Sequence, residues 1–299
     1  MGGAVLRPRI AVTVGDPRGI GPEIIRAALE DPALRDVCEM TIVGPTGAAV
    51  PVDVIVGSWA DGGDAAMAGR ASGDAIVRAV QLATAGEVDG IVTAPIDKFA
   101  LLSGGYDYPG HTEMLAELTG SRVAMMLASD RLRVVLATTH IALRDVPQAL
   151  TRDSIQSAAQ VTREGLREWF GIAEPRVALC ALNPHAGDHG RFGQEDDDLL
   201  TPAARDFGLF GPFPADTVFV RAIRGEFDAV IAPYHDVGMT AIKVASFGSA
   251  VNVTLGLPFP RTSPDHGTAL DIAGRGIANP SSFIAATRLC AEIVQRRRR

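Results

Sequence analysis

Ile10-Ala-Val-Thr-Val-Gly-Asp-Pro-Arg-Gly-Ile-Gly-Pro-Glu23 decides the reading of the fold. Its first five residues are apolar or β-branched and suit a buried strand. A glycine-rich turn follows, and Pro22 opens a helix that runs to about Leu29. A strand that passes through a short turn into a helix is half of a βαβ unit, and the alternation recurs outward from it. Met40–Val43 reads as a strand closed by Gly44-Pro45, Ala75–Ala85 as a helix, and Gly90–Thr93 as the strand after it. Helical spacing runs from His111 to Leu118. Arg133–Thr138 is a strand, and Asp153–Phe170 is a long helix with apolar residues at i, i+3 and i+4. Strands at Arg176–Ala181, Ala229–Ala232 and Val251–Leu255 come next, and a last helix covers Ser282–Gln295. The expected class is α/β with a largely parallel sheet. No repeat or low-complexity linker interrupts the pattern, so two domains would share elements and not follow one another as beads.

Composition sets the function classes aside one by one. The 299 residues are 47% hydrophobic and 21% charged, which is enough for a large buried core. The net charge is −7, and the only basic run is Arg296–Arg299 at the C-terminus, which reads as a solvated tail and not as a nucleic-acid footprint. No stretch approaches the roughly 20 apolar residues that span a bilayer, and the start lacks a signal-peptide pattern. Cys38, Cys180 and Cys290 are odd in number and far apart, which argues for buried thiols in a reducing cytoplasm.

Three of the six histidines share a setting. His140 follows Val134-Val-Leu-Ala-Thr-Thr, His185 follows Val177-Ala-Leu-Cys-Ala-Leu-Asn-Pro, and His235 follows Ala229-Val-Ile-Ala-Pro-Tyr. Each sits just beyond an apolar strand. In a parallel sheet these ends lie along one edge, where open α/β sheets bind ligands. Three imidazoles delivered there suit a divalent metal and leave coordination positions for substrate. Asp236 is placed to fix a ring tautomer.

Other polar positions are less specific alone. The turn Gly15–Gly21 lacks both the G-x-G-x-x-G spacing and a following Gly-Lys-Ser/Thr, so it carries neither nucleotide fingerprint. Gly110-His-Thr-Glu113 opens a helix, where Thr112 and free amides suit a carboxylate or phosphate. Lys243, Asn252 and Arg261 lie in one stretch, and a lysine with an arginine suits a doubly charged phosphate. Asp265-His-Gly-Thr-Ala-Leu-Asp271 packs an acid, a ring and a glycine into one polar turn.

At these residues the chain resembles the 4-hydroxythreonine-4-phosphate dehydrogenase family of vitamin B6 biosynthesis. The resemblance covers nearly the whole chain, through GDPRGIGPE (15–23), TAPIDK (93–98), YPGHTE (108–113), ATTH (137–140) and NPHAGDHGRFGQED (183–196). It continues through GPFPADTVF (211–219), YHDVGM (234–239) and VNVTLGLPFPRTSPDHGTALDIAGRG (251–276). It implies two interleaved α/β domains around a cleft, as in isocitrate and isopropylmalate dehydrogenases, with residues 1–115 and 260–299 in one and 116–259 in the other. It also implies a homodimer whose active site is completed at the interface. By the same resemblance His140, His185 and His235 hold the metal, and His111, Thr112, Lys243, Asn252 and Arg261 bind substrate.

The implied reaction is oxidation of the 3-hydroxyl of 4-phosphooxy-L-threonine by NAD or NADP with a divalent ion (zinc, cobalt, magnesium or manganese), followed by decarboxylation. Asp236, Asp265 or a metal-bound water would take the hydroxyl proton. The chain departs from the family pattern at Val237, where glutamine is common, and at Arg18, where alanine is common. These departures leave open the four-carbon relatives D-erythronate and D-threonate 4-phosphate as substrates, and the missing nucleotide fingerprint leaves open a non-oxidising decarboxylase on the same scaffold.

Overall fold

The computed structural model describes residues 6–246 and 249–298, so the first five residues and the last arginine of the basic run lie outside the described residues. The chain divides into two compact units. One runs to Ser121 and resumes at Leu257, and the other is Arg122–Gly256.

The first unit begins with β1 (Arg9–Thr13), α1 (Gly21–Glu30), α2 (Pro32–Val37), β2 (Glu39–Thr46) and β3 (Val54–Ser58). It continues through α3 (Ala65–Thr84), β4 (Gly90–Thr93), α4 (Lys98–Ser103) and α5 (His111–Thr119). The second unit contains β5 (Ala124–Ala128), β6 (Arg133–Leu136), α6 (Val146–Ala149), α7 (Arg152–Glu168), β7 (Val177–Cys180) and α8 (Thr201–Asp206). It ends with β8 (Phe210–Phe213), α9 (Ala215–Ile223), β9 (Ala229–Ala232), α10 (His235–Ser246) and β10 (Val251–Leu255). The chain then re-enters the first unit for β11 (Arg261–Pro264) and α11 (Ser281–Arg297).

In the first unit the order is β3-β2-β1-β4-β11, every pair parallel. Four of the five residues of β1 and all four of β4 are buried, because helices cover both faces of a parallel sheet and leave no polar side. Asp31 and Asp64 cap α2 and α3 by accepting from Ala33 N at 2.8 Å and Met67 N at 2.9 Å. Glu23 in the first turn of α1 accepts from three backbone amides, Gly274, Gly276 and Ala278, and so fixes the segment that leads to α11.

In the second unit the order is β10-β5-β6-β9-β7-β8. The expectation of a largely parallel sheet holds, with β5 as the departure. β5 is antiparallel to both β10 and β6, while β6, β9, β7 and β8 are mutually parallel. Val134, Leu136, Val230, Val218 and Ile242 form the centre of the core. A methyl on Gly238 would sit 2.8–3.0 Å from Leu136, Val134 and Ala232, so glycine there lets α10 lie close on β6 and β9.

Several elements differ from the sequence reading for identifiable reasons. α3 starts ten residues earlier than the apolar spacing indicates, because its first half buries Ala68, Gly69, Ala71, Ser72 and Gly73 in place of large side chains. Gly69 and Gly73 press against the Ala100 carbonyl and the Tyr106 ring, where no Cβ fits. β5, Ala-Met-Met-Leu-Ala, has helix-forming composition but is buried along its whole length as a strand, a case of packing overriding propensity. β11 carries an arginine and a proline, which hides a four-residue strand that is buried throughout. Among the described residues no helix is long and apolar enough to cross a membrane.

Candidate active site

The three strand-end histidines all belong to the second unit, after β6, β7 and β9, which are parallel neighbours in the order β6-β9-β7. Ala137 N donates to the Ala232 carbonyl at 2.9 Å, and Thr138 Oγ1 donates to the Pro233 carbonyl at 2.7 Å. These bonds extend the pairing of β6 and β9 past their ends, and they bring the His140 and His235 ring centroids to 5.6 Å. His235 Nδ1 lies 2.7 Å from Asp236 Oδ1. A carboxylate only accepts, so Nδ1 carries a proton, and in the neutral ring Nε2 is then the nitrogen with the lone pair. That is the state in which an imidazole ligates a metal.

His185 is on the same edge but opens onto a different cavity, of about 350 Å³, with Asn183, Asp216, Tyr234 and Val237 in its wall. His140, His235 and Asp236 line a neighbouring cavity of about 120 Å³, and Tyr234 borders both. The chain therefore pairs two of the three imidazoles. Among its described residues, no group of three His, Cys, Asp or Glu side chains comes together to hold an ion. Lys243 is exposed on α10, two turns beyond His235. Asn252, on β10, keeps its side-chain Oδ1 buried and without a hydrogen-bond partner.

The first unit gathers the anion-directed residues. His111 and Thr112 open α5, Arg261 opens β11, and Thr93 ends β4 beside it in the parallel sheet. Arg261 is 2% exposed and donates through Nη2 to the buried Thr93 hydroxyl. Burial pushes its pKa down to about 9, against the smaller pull of Cys290 and Glu113. The His111 ring is held well below its ordinary pKa, first by burial and then by the charge of Arg261, and its Nε2 has no partner. A buried guanidinium beside an imidazole that resists protonation is an arrangement that suits an anion. The Asp265 backbone and carboxylate face the Ser282 hydroxyl at 3.4 Å, and His266 Nδ1 lies 3.2 Å from the Gly267 carbonyl.

Folding makes the depressed His111 pKa a stability term. Below about pH 6.5 the unfolded chain protonates this imidazole while the folded chain resists, so stability falls as the pH drops into that window. Replacing His111 by glutamine is expected to reduce the stability lost between pH 7.5 and 5.0 in urea melts. An unchanged pH slope counts against a buried neutral His111.

The glycine-rich turn was read from sequence without a partner, and the structure supplies one. Gly15 has φ +74° and lies so close to the Pro95 carbonyl that a Cβ would stand 2.4 Å from it. Asp16 N donates to that carbonyl, and Ile20 N donates to the Thr268 carbonyl, both at 3.0 Å. The turn is thus held between the TAPIDK and DHGT segments, and its glycines serve close approach to protein backbone. Asp16 is fully buried and grips Arg18 bidentately, at 3.0 Å to Nε and 2.7 Å to Nη2. Sequence reading singled out Arg18 only as a departure and missed Asp16 and Thr93. Their signal, a lone acid in a turn and a strand-end threonine, becomes visible only when the loops meet. A cavity of about 550 Å³ opens beside the turn, walled by Arg18, Glu23, Arg26, Trp59 and Gly274.

The family model for the pyridoxal phosphate biosynthetic protein PdxA matches residues 24–290. A 4-hydroxythreonine-4-phosphate dehydrogenase of Stenotrophomonas maltophilia is 41% identical over 98% of this chain and 99% of its own. The crystal structure of the Klebsiella pneumoniae enzyme of that name superposes with a TM-score of 0.88 at 38% identity, covering 98% of this chain and all of that one. Isocitrate dehydrogenase from Methylococcus capsulatus, at 14% identity and a TM-score of 0.50 over 98% of this chain and all of its own, shares the fold alone. With a matched model over most of its length and dehydrogenases as its relatives, the chain belongs to the PdxA family of pyridoxal phosphate biosynthetic enzymes.

Proposed function

We propose that the chain oxidises the 3-hydroxyl of 4-phosphooxy-L-threonine with NAD or NADP, with decarboxylation of the resulting β-keto acid, in the synthesis of pyridoxal 5′-phosphate. The observation that carries this reading is the His140–His235 pair with its tautomer set by Asp236, on the strand edge where the family motifs converge. Its donor chemistry, neutral imidazole nitrogen, fits zinc, cobalt or manganese and suits magnesium less well. A divalent ion bound there would lower the pKa of the substrate alcohol and stabilise the charge left as carbon dioxide departs. His185 would complete the ligand set. Because one chain pairs only two of the three imidazoles, a homodimer whose second copy completes the site is part of the proposal.

The protein's own residues supply grip and orientation. Arg261, anchored on Thr93, brings a buried guanidinium to phosphate or carboxylate, and His111, Thr112, Lys243 and Asn252 add polar contacts. Fixing both ends of a four-carbon acid leaves its hydroxyl-bearing carbon one orientation toward the nicotinamide. The cavity beside Arg18 and Trp59 has the size and the mixed aromatic and cationic wall for part of a dinucleotide. Asp236 and Asp265 are the candidate acceptors of the hydroxyl proton. With its Oδ1 on His235, Asp236 acts through the ring it orients, and Asp265 is the second candidate.

A substrate panel tests the reading: 4-phosphooxy-L-threonine, D-erythronate 4-phosphate and D-threonate 4-phosphate, each with NAD and with NADP. Growth of reduced-nicotinamide absorbance with the threonine derivative, well above the other two, is the expected result. Faster turnover of an aldonate phosphate would move the substrate assignment, and carbon dioxide release without reduced cofactor would overturn the oxidation.

A further inference from the structure

The loop that carries His185 has a backbone that residues with a Cβ adopt singly and not in runs. From His185 to Gly190 six consecutive residues have positive φ, namely 55°, 55°, 82°, 45°, 57° and 82°, and four of them (His185, Ala186, Asp188 and His189) are not glycine. The left-handed region disfavours every residue with a Cβ. A run of this kind persists only where its surroundings hold it.

Those surroundings are the second half of the same motif, Gly190–Asp196. Asp196 is fully buried, and its two oxygens accept from Leu182 N at 2.9 Å and Asn183 N at 3.0 Å, the residues that enter the loop. Glu195 accepts from Asn183 Nδ2 at 2.8 Å. Phe192 N donates to the Gly187 carbonyl at 3.0 Å, and the Phe192 ring stands 6.3 Å from that of His185. At Gly187 a Cβ would press on the Gly193 carbonyl, and at Gly193 it would collide with Glu195 and Asn183.

We propose that Asp196 is a positioning residue for the reaction: its buried carboxylate, seconded by Glu195, clasps the loop entrance and keeps His185 in a left-handed turn on the ligand-binding edge. The inference rests on the reading of His185 as a metal ligand. A carboxylate is required because both partners are N–H donors. Asparagine would turn one acceptor into an NH₂ group facing a backbone N–H and would break half of the clasp.

The experiment compares wild type, Asp196→Asn, Glu195→Gln and Leu166→Ala, all stripped of metal. Zinc affinity is read by equilibrium dialysis and amide exchange of residues 182–189 by mass spectrometry. Asp196→Asn is expected to weaken zinc binding by about 10–100-fold and to speed exchange of the loop amides. Adding Ala186→Gly, which suits the left-handed turn, is expected to restore part of the affinity. Leu166→Ala, a core truncation in α7, is expected to lower Tm without a comparable loss of zinc. If Asp196→Asn fails to fold, Glu195→Gln, acting on the same loop entrance, carries the test with a severalfold effect. Zinc affinity within twofold of wild type together with unchanged loop exchange would overturn the proposal, as would an equal zinc loss in Leu166→Ala. Unchanged zinc binding in His185→Ala would instead overturn the ligand reading, and loop exchange would then decide the clasp alone.

Discussion

Arg261→Met is expected to make the protein more stable and almost inactive. The guanidinium is 2% exposed, and burial holds its pKa down near 9, so the folded chain carries a cation in a place that disfavours charge. The cost of such burial is on the order of a few kcal/mol. Methionine keeps the reach of the aliphatic stem and needs no hydrogen bond, and trading buried charged groups for well-packed apolar ones is often neutral or stabilising. What is lost includes the bond to Thr93, whose hydroxyl can turn elsewhere. In phosphate-free buffer Tm should rise by about 2–6 °C. The same variant should lose about a thousandfold in kcat/KM, as expected when one partner of a buried charge pair is removed. Inorganic phosphate should stabilise wild type and leave the variant unmoved. A lower Tm in phosphate-free buffer would show that Arg261 is structural, and near-normal turnover would remove it from the substrate site.

This trade of stability for a binding charge also explains what sequence reading can find. The strand endings at His140, His185 and His235 were legible because β6, β7 and β9 are short, apolar and parallel, and a residue three to five positions past such a strand has nowhere else to be. Arg261 was picked out as a charge in a polar stretch, but β11 around it was not, because an arginine within four residues erases the apolar signature of a strand. The antiparallel β5 escaped for the opposite reason: alanine, methionine and leucine have no preference for strands, and only burial against β6 and β10 decides their state. The Asp16–Arg18 pair and the Asp196 clasp were beyond reach, since each depends on amides and loops that meet only in the folded chain. Motif resemblance covered part of this gap by marking the clasp segment 183–196 as significant without giving its physical role.

His235→Ala and Asp236→Asn should separate holding an ion from orienting the group that holds it. His235 begins α10, whose seat is fixed by the close fit of Gly238 against β6 and β9, so removing the imidazole should leave the helix in place. With one of the two paired rings gone, only His140 and His185 remain of the proposed ligand set, and bound metal should fall to trace levels with turnover down by roughly a thousandfold or more. Asp236→Asn keeps an oxygen that accepts from Nδ1, so the ring should retain the same tautomer but lose the basicity a carboxylate lends it. Metal affinity should then drop by about 10–100-fold, and saturating metal should restore much of the activity. The two variants are compared by metal content after dialysis and by turnover across a metal titration. Equal, unrescued losses in both would make Asp236 a direct participant in proton transfer. Full metal content in His235→Ala would move the ion away from the strand-end pair altogether.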